Sequence, residues 1–295
     1  MSTSITTAFV KQYEKDVHHV FQRPGASLRD TVRVKDGVRG STVTFQKIGK
    51  GTATTKARHG VITPMNQTHD SPAATMADFY AGDWVDKLDE AKINHDERMA
   101  IAQGGAWALG RKVDDQIITA LNGTTQTQAA VTVTNSGTIK GTVLDWVAAL
   151  FENDVPNDGQ VYGLITPKLH QMLSTVNEYA SADFVDMKPH VQGVPIRRFR
   201  SWNGVLWTAH TGLPNAKAAS CTGYLYHKSA IGYGTGAVDA NAAQTGGNVI
   251  TADITWHGDR AAHFVNHWMS GGAVLIDDSG VIEALWDDSA SVPTT

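Results

Sequence analysis

Three histidines in the last quarter of the chain are the residues whose type and spacing come nearest to metal chemistry. His263 and His267 are four residues apart, as in helical zinc sites, and His257 lies just upstream near Asp259. The segment around them is typical of a β-strand, where residues four apart are separated by roughly 13 Å, too far for one ion with ligands at about 2.1 Å. We therefore favour histidines on a polar sheet face and expect no metal. A metal-dependent enzyme that uses these three side chains stays as the alternative.

Other candidate chemistry is weaker. The segment 232–236, Gly-Tyr-Gly-Thr-Gly, resembles part of a phosphate-cradling loop but lacks the Gly-Lys-Ser/Thr ending, which favours a flexible turn. Cys221 is the single cysteine, which excludes an internal disulfide framework and indicates a buried, inert thiol in a reducing compartment. No Gly-x-Ser-x-Gly elbow is present. We expect no catalytic residue, no cofactor and no enzymatic activity.

Composition and charge describe an ordinary globular chain with an uneven charge distribution. The 295 residues include 25 Lys+Arg and 29 Asp+Glu, for a formal net charge of −4, and 41% are hydrophobic. No apolar run is long enough for a membrane-spanning helix, and residues 1–17 lack the apolar region of a secretory signal. Residues 1–58 hold 11 Lys+Arg against 4 Asp+Glu, whereas the remainder holds 14 against 25. A basic front segment could therefore bind an acidic surface, within the chain or between chains.

The front of the chain is too poor in large apolar residues to form a core alone. Residues 9, 13, 17 and 20 suit one helical face, and residues 38–70 predict a long β-hairpin. We expect its strands at 41–48 and 52–56, joined by a turn at Gly49-Lys50-Gly51. Because an isolated hairpin is marginal in water, this one must lie on something else.

The body predicts an α+β fold. A strand at 79–85 leads into a long amphipathic helix over 94–122, with Asn94 as its cap. Gly104-Gly105 should weaken or bend that helix. Thr166-Pro167 predicts a helix start after a buried strand at 161–165, and a second helix should begin at Thr142. From residue 190 onward short strands dominate: 194–200, 205–210, 223–227, 249–256, 261–268 and 272–277.

The thin N-terminal segment, the long basic hairpin and the long helix protrude from the predicted body and need contacts from neighbouring copies, which suggests a symmetric shell. The sequence also resembles those of tailed-bacteriophage major capsid proteins. The similar segments are 4–13 (SITTAFVKQY), 40–46 (GSTVTFQ), 55–60 (TKARHG), 79–89 (FYAGDWVDKLD), 108–114 (ALGRKVD) and 162–167 (YGLITP).

The resemblance implies the Hong Kong 97-type capsid fold. Its parts would be an N-terminal arm (1–37), an extended β-hairpin loop that lies across an adjacent subunit (38–72), a peripheral domain with the spine helix (73–123), an axial domain (124–220) and C-terminal strands that return to the peripheral domain (221–295).

The function implied is a major capsid protein that self-assembles into the icosahedral head around the double-stranded DNA of a tailed phage. Its partners would be copies of itself in pentamers and hexamers, a portal protein, a separate scaffolding or decoration protein, and DNA bound without sequence specificity, but no membrane. The virion would be its location, after assembly in the host bacterial cytoplasm. An encapsulin-like nanocompartment shell is the alternative.

Basic and aromatic residues of the front segment are the candidate inter-subunit contacts, because repeated weak ion pairs can close a shell cooperatively. They are Arg29, Arg33, Lys35, Arg39, Phe45, Lys47, Lys50, Lys56 and Arg58.

Overall fold

The computed structural model describes residues 23, 25–90, 97–132, 136–180, 199–237 and 251–289. The predicted helical face of residues 9–20, the predicted cap at Asn94 and most of the predicted strand at 194–200 lie outside these residues.

The described residues form an α+β fold, as the sequence predicted. The strands are β1 (Arg33–Val38), β2 (Thr42–Thr44), β3 (Lys47–Ile48), β4 (His69–Asp70), β5 (Ala73–Thr75), β6 (Ala77–Asp86), β7 (Val161–Ile165), β8 (Arg200–Trp202), β9 (Val205–Ala209), β10 (Cys221–His227), β11 (Ile231–Gly236), β12 (Thr251–His257), β13 (Ala262–Leu275) and β14 (Val281–Trp286). The helices are α1 (Lys87–Glu90), α2 (Glu97–Leu121), α3 (Ser136–Glu152), α4 (Pro167–Leu173) and α5 (Asn177–Ala180). None of the described helices has the length and apolarity needed to cross a bilayer.

The first sheet is built around β13 and supports the long helix. β13 pairs antiparallel with β6, β12 and β11, and β1 adds to β11 in parallel. Helix α2 packs on one face of this sheet through side chains at a spacing of four, Val113, Ile117 and Leu121, all fully buried. The long helix predicted over 94–122 is thus confirmed for its described part, and the strand predicted at 79–85 is confirmed as part of β6.

The second sheet has the order β14-β10-β7-β9-β8, with α3 and α4 against it. Helix α4 starts as predicted, since the Thr166 hydroxyl accepts a 3.2 Å hydrogen bond from the Leu169 amide and Pro167 occupies the first turn. Helix α3 begins at Ser136, earlier than the predicted start at Thr142. The side chains between the two sheets form one continuous buried cluster.

Two expectations for the C-terminal part are wrong. Segment 232–236 is neither a turn nor a phosphate loop, because it is strand β11 and is buried. The strands predicted at 261–268 and 272–277 are one continuous strand, β13. Strands β10 and β14 join the second sheet, whereas β11, β12 and β13 belong to the first, and the division of the chain into capsid domains stays a prediction.

Residues 25–38 are part of the body rather than a free arm. Leu28 and Val32 are buried in the main core, and β1 is a strand of the first sheet. The Ala26 amide donates a 2.7 Å hydrogen bond to the Gly110 carbonyl of α2, at a crossing where Gly25 has no room for a β-carbon. Of the predicted arm 1–37, this described end is therefore docked on the long helix.

A buried carboxylate fixes that crossing. Asp114 on α2 is fully buried and accepts 2.8 Å hydrogen bonds from the Leu28 amide and the Ser27 hydroxyl. His210 Nε2 lies 3.5 Å from Asp114 Oδ2, and His210 Nδ1 accepts a 3.1 Å hydrogen bond from the Gly212 amide. Burial alone would raise the pKa of Asp114, but these hydrogen bonds outweigh it and the pKa is lowered.

Candidate inter-subunit surface

The base of the extended loop is seated on its own chain. Val43 and Phe45, on either side of the end of β2, are 2% and 3% exposed and pack with Ala74 and Ile276. Gly232 makes room for the ring, since a β-carbon there would lie 2.6 Å from Phe45 Cε2. The alternating glycines of β11 thus provide a smooth face on which the loop base lies flat.

The hairpin predicted over residues 38–70 is present, but its returning strands and its turn lie elsewhere than predicted. β2 pairs with β5 and β3 pairs with β4, so the returning strands are at 69–75 rather than at 52–56. Gly49-Lys50-Gly51 is not the turn, because the Gly49 amide still donates a 2.8 Å hydrogen bond to the Thr68 carbonyl across the hairpin. The chain turns at Ala57–Gly60, where the Gly60 amide donates to the Ala57 carbonyl and His59 has a φ of 64°.

The loop tip, which we define as residues 50–66, is almost entirely exposed. Val61 is 92% exposed, Ile62 70% and Met65 51%. The tip carries Lys50, Lys56 and Arg58 but no carboxylate. The tip therefore presents a cationic surface with apolar side chains. Exposed apolar side chains grouped in this way are typical of an interaction site.

Four of the predicted contact residues lie before β2, and one of them pairs within its own chain while the other three are exposed. Arg29 forms a 2.6 Å ion pair with Asp36 of its own chain. Arg33 and Lys35 point outward from β1, and the Arg33 guanidinium lies 5.9 Å from the centre of the Phe45 ring. Arg39 is exposed just after β1.

The predicted contact residues of the loop lie in two parts: the loop base, which consists of the paired strands β2 to β5 with Phe45, and the loop tip. The Phe45 ring is occupied inside its own chain, so it does not lie on the free surface as the sequence suggested. Lys47 and Lys50 reach carboxylates of the same chain: Lys47 Nζ lies 2.9 Å from Asp277 Oδ1 and Lys50 Nζ lies 2.5 Å from Asp154 Oδ2. Lys56 and Arg58 lie on the exposed tip. Contact of any of these residues with a neighbouring copy remains a prediction.

The ion pairs of the loop shift the titration of their carboxylates. The hydrogen bond and charge of Lys50 lower the pKa of Asp154. At Asp277 partial burial alone would raise the pKa, but hydrogen bonds from Lys47 and Ser279 outweigh it and the pKa is lowered. Both carboxylates are therefore ionised at neutral pH.

A second exposed surface, which sequence reasoning missed, lies on the face of the first sheet opposite α2. On β6 the outward side chains are two aromatic residues flanked by two acidic ones: Asp78, Tyr80, Trp84 and Asp86, with Gly82 between the aromatic pair. We call this surface the β6 face. The sequence signal is the period of two in residues 78–86, which places these four side chains on one face of a strand.

Neighbouring strands extend the β6 face. Two residues of β13 lie beside the aromatic residues of β6. Phe264 is paired with Trp84, with ring centres 4.6 Å apart, and Trp268 is paired with Tyr80. The Arg260 guanidinium lies 4.5 Å from the centre of the Trp84 ring. Tyr80 is 71% exposed, so this aromatic surface is open in the single chain.

The three histidines do not converge. His263 and His267 both lie on strand β13, as expected, and His257 is on β12. His267 is buried against Gly105 of α2, whereas His263 packs on Trp256 with ring centres 4.9 Å apart. Among the described residues, no group of three His, Cys, Asp or Glu side chains could hold a metal ion.

The candidate thiol is inert. Cys221 is fully buried at the start of β10. Burial, together with the charge of Asp288, raises the pKa of this thiol to about 12. It is therefore protonated at neutral pH and closed to solvent, which leaves no activated nucleophile at this position.

Comparison with known proteins identifies the family of the chain. A family model described as phage capsid protein matches residues 5–288. This chain belongs to the phage capsid protein family. No curated protein sequence matches it.

The phage capsid protein is also similar in fold to solved capsids. Against the capsid of the cyanophage P-SCSP1u, the TM-score is 0.73 at 14% identity, covering 98% of this chain and 96% of that one. Against Mycobacterium phage Che8 it is 0.67 at 15% identity, covering 96% and 98%. Against the capsid of a native GTA particle it is 0.66 at 12% identity, covering 97% of both chains. The Hong Kong 97-type fold implied by the sequence resemblance is thereby confirmed, and the family match favours a viral capsid over an encapsulin-like shell.

Proposed function

We propose that this phage capsid protein is the major capsid protein, which self-assembles into the icosahedral head enclosing the double-stranded DNA of a tailed phage. It would form pentamers and hexamers in the host bacterial cytoplasm and persist in the virion. Its role would be structural and non-enzymatic. The family match over residues 5–288 supports this proposal.

The observation that carries the proposal is the contrast between the two ends of the extended loop. Val43 and Phe45 at the base are buried in their own chain, whereas the tip exposes Val61, Ile62 and Met65. An anchored base with an apolar tip in solvent is the arrangement expected of a segment that completes its contacts on another copy. The tip side chains would each contribute roughly 1.5–3 kcal/mol when fully buried there.

The β6 face of a neighbouring copy is the surface that suits the tip best. The tip is cationic through Lys56 and Arg58, whereas strand β6 of the β6 face carries Asp78 and Asp86, and Arg260 is the cation that covers the Trp84 ring. Opposite charges around an apolar centre would fix the register of the two surfaces and speed their encounter. Individual exposed ion pairs contribute only about 0–1 kcal/mol, so the apolar contacts and the repetition of the interface would supply most of the stability.

The remaining partners follow from the proposed role. The net charge of −4 suits a wall that encloses DNA without gripping it and without sequence specificity. A portal protein would occupy one vertex, and a separate scaffolding or decoration protein is a further partner of such a shell.

A substitution in the tip tests the proposal. Purified protein carrying Ile62→Ser should fail to form shells in electron micrographs while its urea unfolding stays unchanged, because Ile62 is 70% exposed in the single chain. The matched variant Ile62→Leu keeps an apolar side chain and should still assemble. Shells of normal number and shape from Ile62→Ser would show that the tip makes no essential contact.

A further inference from the structure

The extended loop is tied to its own body just where it leaves it. Gly49 and Thr68 make the last backbone hydrogen bond across the hairpin, and the Gln67 side chain donates to the Gly49 carbonyl at 3.2 Å. Lys50 comes immediately after this point, and its ammonium group lies 2.5 Å from Asp154 Oδ2. Lys50 therefore stands at the hinge between the paired base and the unpaired tip.

Asp277 and Asp154, the carboxylates paired with Lys47 and Lys50, both lie in connections that lead into strands of the second sheet. Asp154 follows α3, with a φ of 60°, and Asp277 lies in the connection from β13 to β14. The Asp277 carboxylate is itself held in place, because it accepts hydrogen bonds from the Ser279 amide and hydroxyl. The loop is thus linked at two levels, Lys47 near the base and Lys50 at the hinge.

Beyond the hinge, the contacts stop. Residues 51–66 make no hydrogen bond or ion pair to the rest of the described chain, and Lys56 reaches only the Gly60 carbonyl within the tip. The direction in which the tip projects consequently depends on the last contact before it. That contact is the Lys50–Asp154 pair.

The two ion pairs differ in how easily they exchange. Lys47 and Asp277 are 33% and 42% exposed, whereas Lys50 and Asp154 are 76% and 78% exposed. An exposed pair opens readily and is weakened by salt, while a half-buried one is more persistent. Of the two ion pairs, the Lys50–Asp154 pair at the hinge is therefore the one that opens and closes more easily.

We propose that the Lys50–Asp154 pair is a latch that sets the direction of the loop tip in the free subunit before the tip meets a neighbour. A loop already oriented loses less conformational freedom on binding, so the latch favours assembly. This inference rests on the proposed function for its purpose, but the latch itself is a property of one chain. It also reassigns Lys50 from a contact between chains to a contact within the chain.

Single-molecule energy transfer on dilute subunits tests the latch without requiring shells. Dyes on Thr55→Cys at the tip and Ser174→Cys at the end of α4 report the distance between tip and body, since the native Cys221 is fully buried. The otherwise wild-type chain should give one dominant narrow peak with a minor released population. Lys50→Gln and Asp154→Asn should each broaden it, with the released population rising by about two- to fivefold, as expected for an exposed ion pair.

Two controls separate the latch from a general charge effect. Glu152→Gln removes a carboxylate two residues from Asp154 and should leave the distribution narrow. The charge-swapped chain with Lys50→Asp and Asp154→Lys should restore it. Unchanged distributions in both single variants, or a swapped chain as broad as the single variants, would overturn the latch.

Failure of the latch and failure of the proposed function give different results. Absence of shells from the wild-type chain would refute the proposed function, whereas the distances in the dilute subunit would still decide the latch. Shells from the wild-type chain together with unresponsive distances would refute the latch alone.

Discussion

Two adjacent glycines in the long helix have opposite roles at the residue scale. A β-carbon on Gly104 would meet nothing within 4 Å, whereas one on Gly105 would lie 2.6 Å from the His267 ring, which is 2% exposed. The sequence predicts the same cost at both positions, because glycine weakens any helix interior. Only the tertiary contact separates them.

We therefore expect opposite effects on stability from the two alanine variants. Gly104→Ala should raise the free energy of unfolding by about 0.5–1 kcal/mol through lower backbone entropy of the unfolded chain. Gly105→Ala should lower it by about 1–2 kcal/mol, because the buried His267 ring must shift. Urea titration of unassembled subunits measures both, and equal effects in the same direction would contradict the packing described.

Asp114 is the second residue with a measurable consequence. Its carboxylate holds Leu28 and Ser27 on the long helix, so Asp114→Asn should cost about 2 kcal/mol at neutral pH. Asp115→Asn is the matched control, since the Asp115 side chain is 49% exposed and pairs only with Arg23 at its described contacts, and should cost less than about 1 kcal/mol.

The pH dependence of Asp114 has a definite sign. Its folded pKa lies below the ordinary value of 3.8, so its contribution is fully present above pH 3.8 and is lost as pH falls through the folded value. The gap in unfolding free energy between wild type and Asp114→Asn should therefore shrink below pH 3.8. A gap that stays constant down to acid unfolding would show that the carboxylate is not stabilised in the fold.

At the element scale, local sequence signals predicted helices better than the hairpin. The long helix follows from the spacing of Leu109, Val113 and Ile117, and α4 follows from Thr166 before a proline. The hairpin turn was misplaced because Gly49-Lys50-Gly51 has favourable turn chemistry, while the actual pairing of β2 with β5 depends on a distant surface.

That distant surface is strand β11, which the sequence predicted to be a turn. Alternating glycines at 232, 234 and 236 are typical of a loop. In the strand, Gly232 and Gly234 leave space that Phe45 and Val43 of the loop base fill. Period-two alternation with Tyr233 and Thr235 was the available signal. The ion-pair partners of Lys47 and Lys50 had no local signal at all, since they lie more than a hundred residues away.

Phe45 tests whether the loop base belongs to its own chain. Phe45→Ala should lower the unfolding free energy of the unassembled subunit by about 3 kcal/mol, because it leaves a cavity against Gly232. Ile48→Ala, three residues on and 59% exposed, should change it by less than about 0.5 kcal/mol. If Phe45→Ala altered assembly but left the subunit's stability untouched, Phe45 would be a contact between copies, as the sequence alone suggested.

At the scale of the whole molecule, two five-stranded sheets share one core, and the extended loop of the described chain projects from it. Strands β10 and β14 enter the second sheet, while the strands between them, β11 to β13, build the first. Such interleaving ties the two sheets together, and no local pattern could have predicted it because it depends on pairing between remote strands. Among the described residues, the loop tip and the β6 face both expose large apolar side chains that the single chain leaves uncovered.

The most direct test of the account is a cryo-EM reconstruction of the particles that the purified protein forms. The account predicts closed icosahedral shells in which residues 51–66 of each copy lie on the β6 face of an adjacent copy. Stable single chains of 31.7 kDa at high concentration, or shells whose loop tips touch no neighbour, would contradict it.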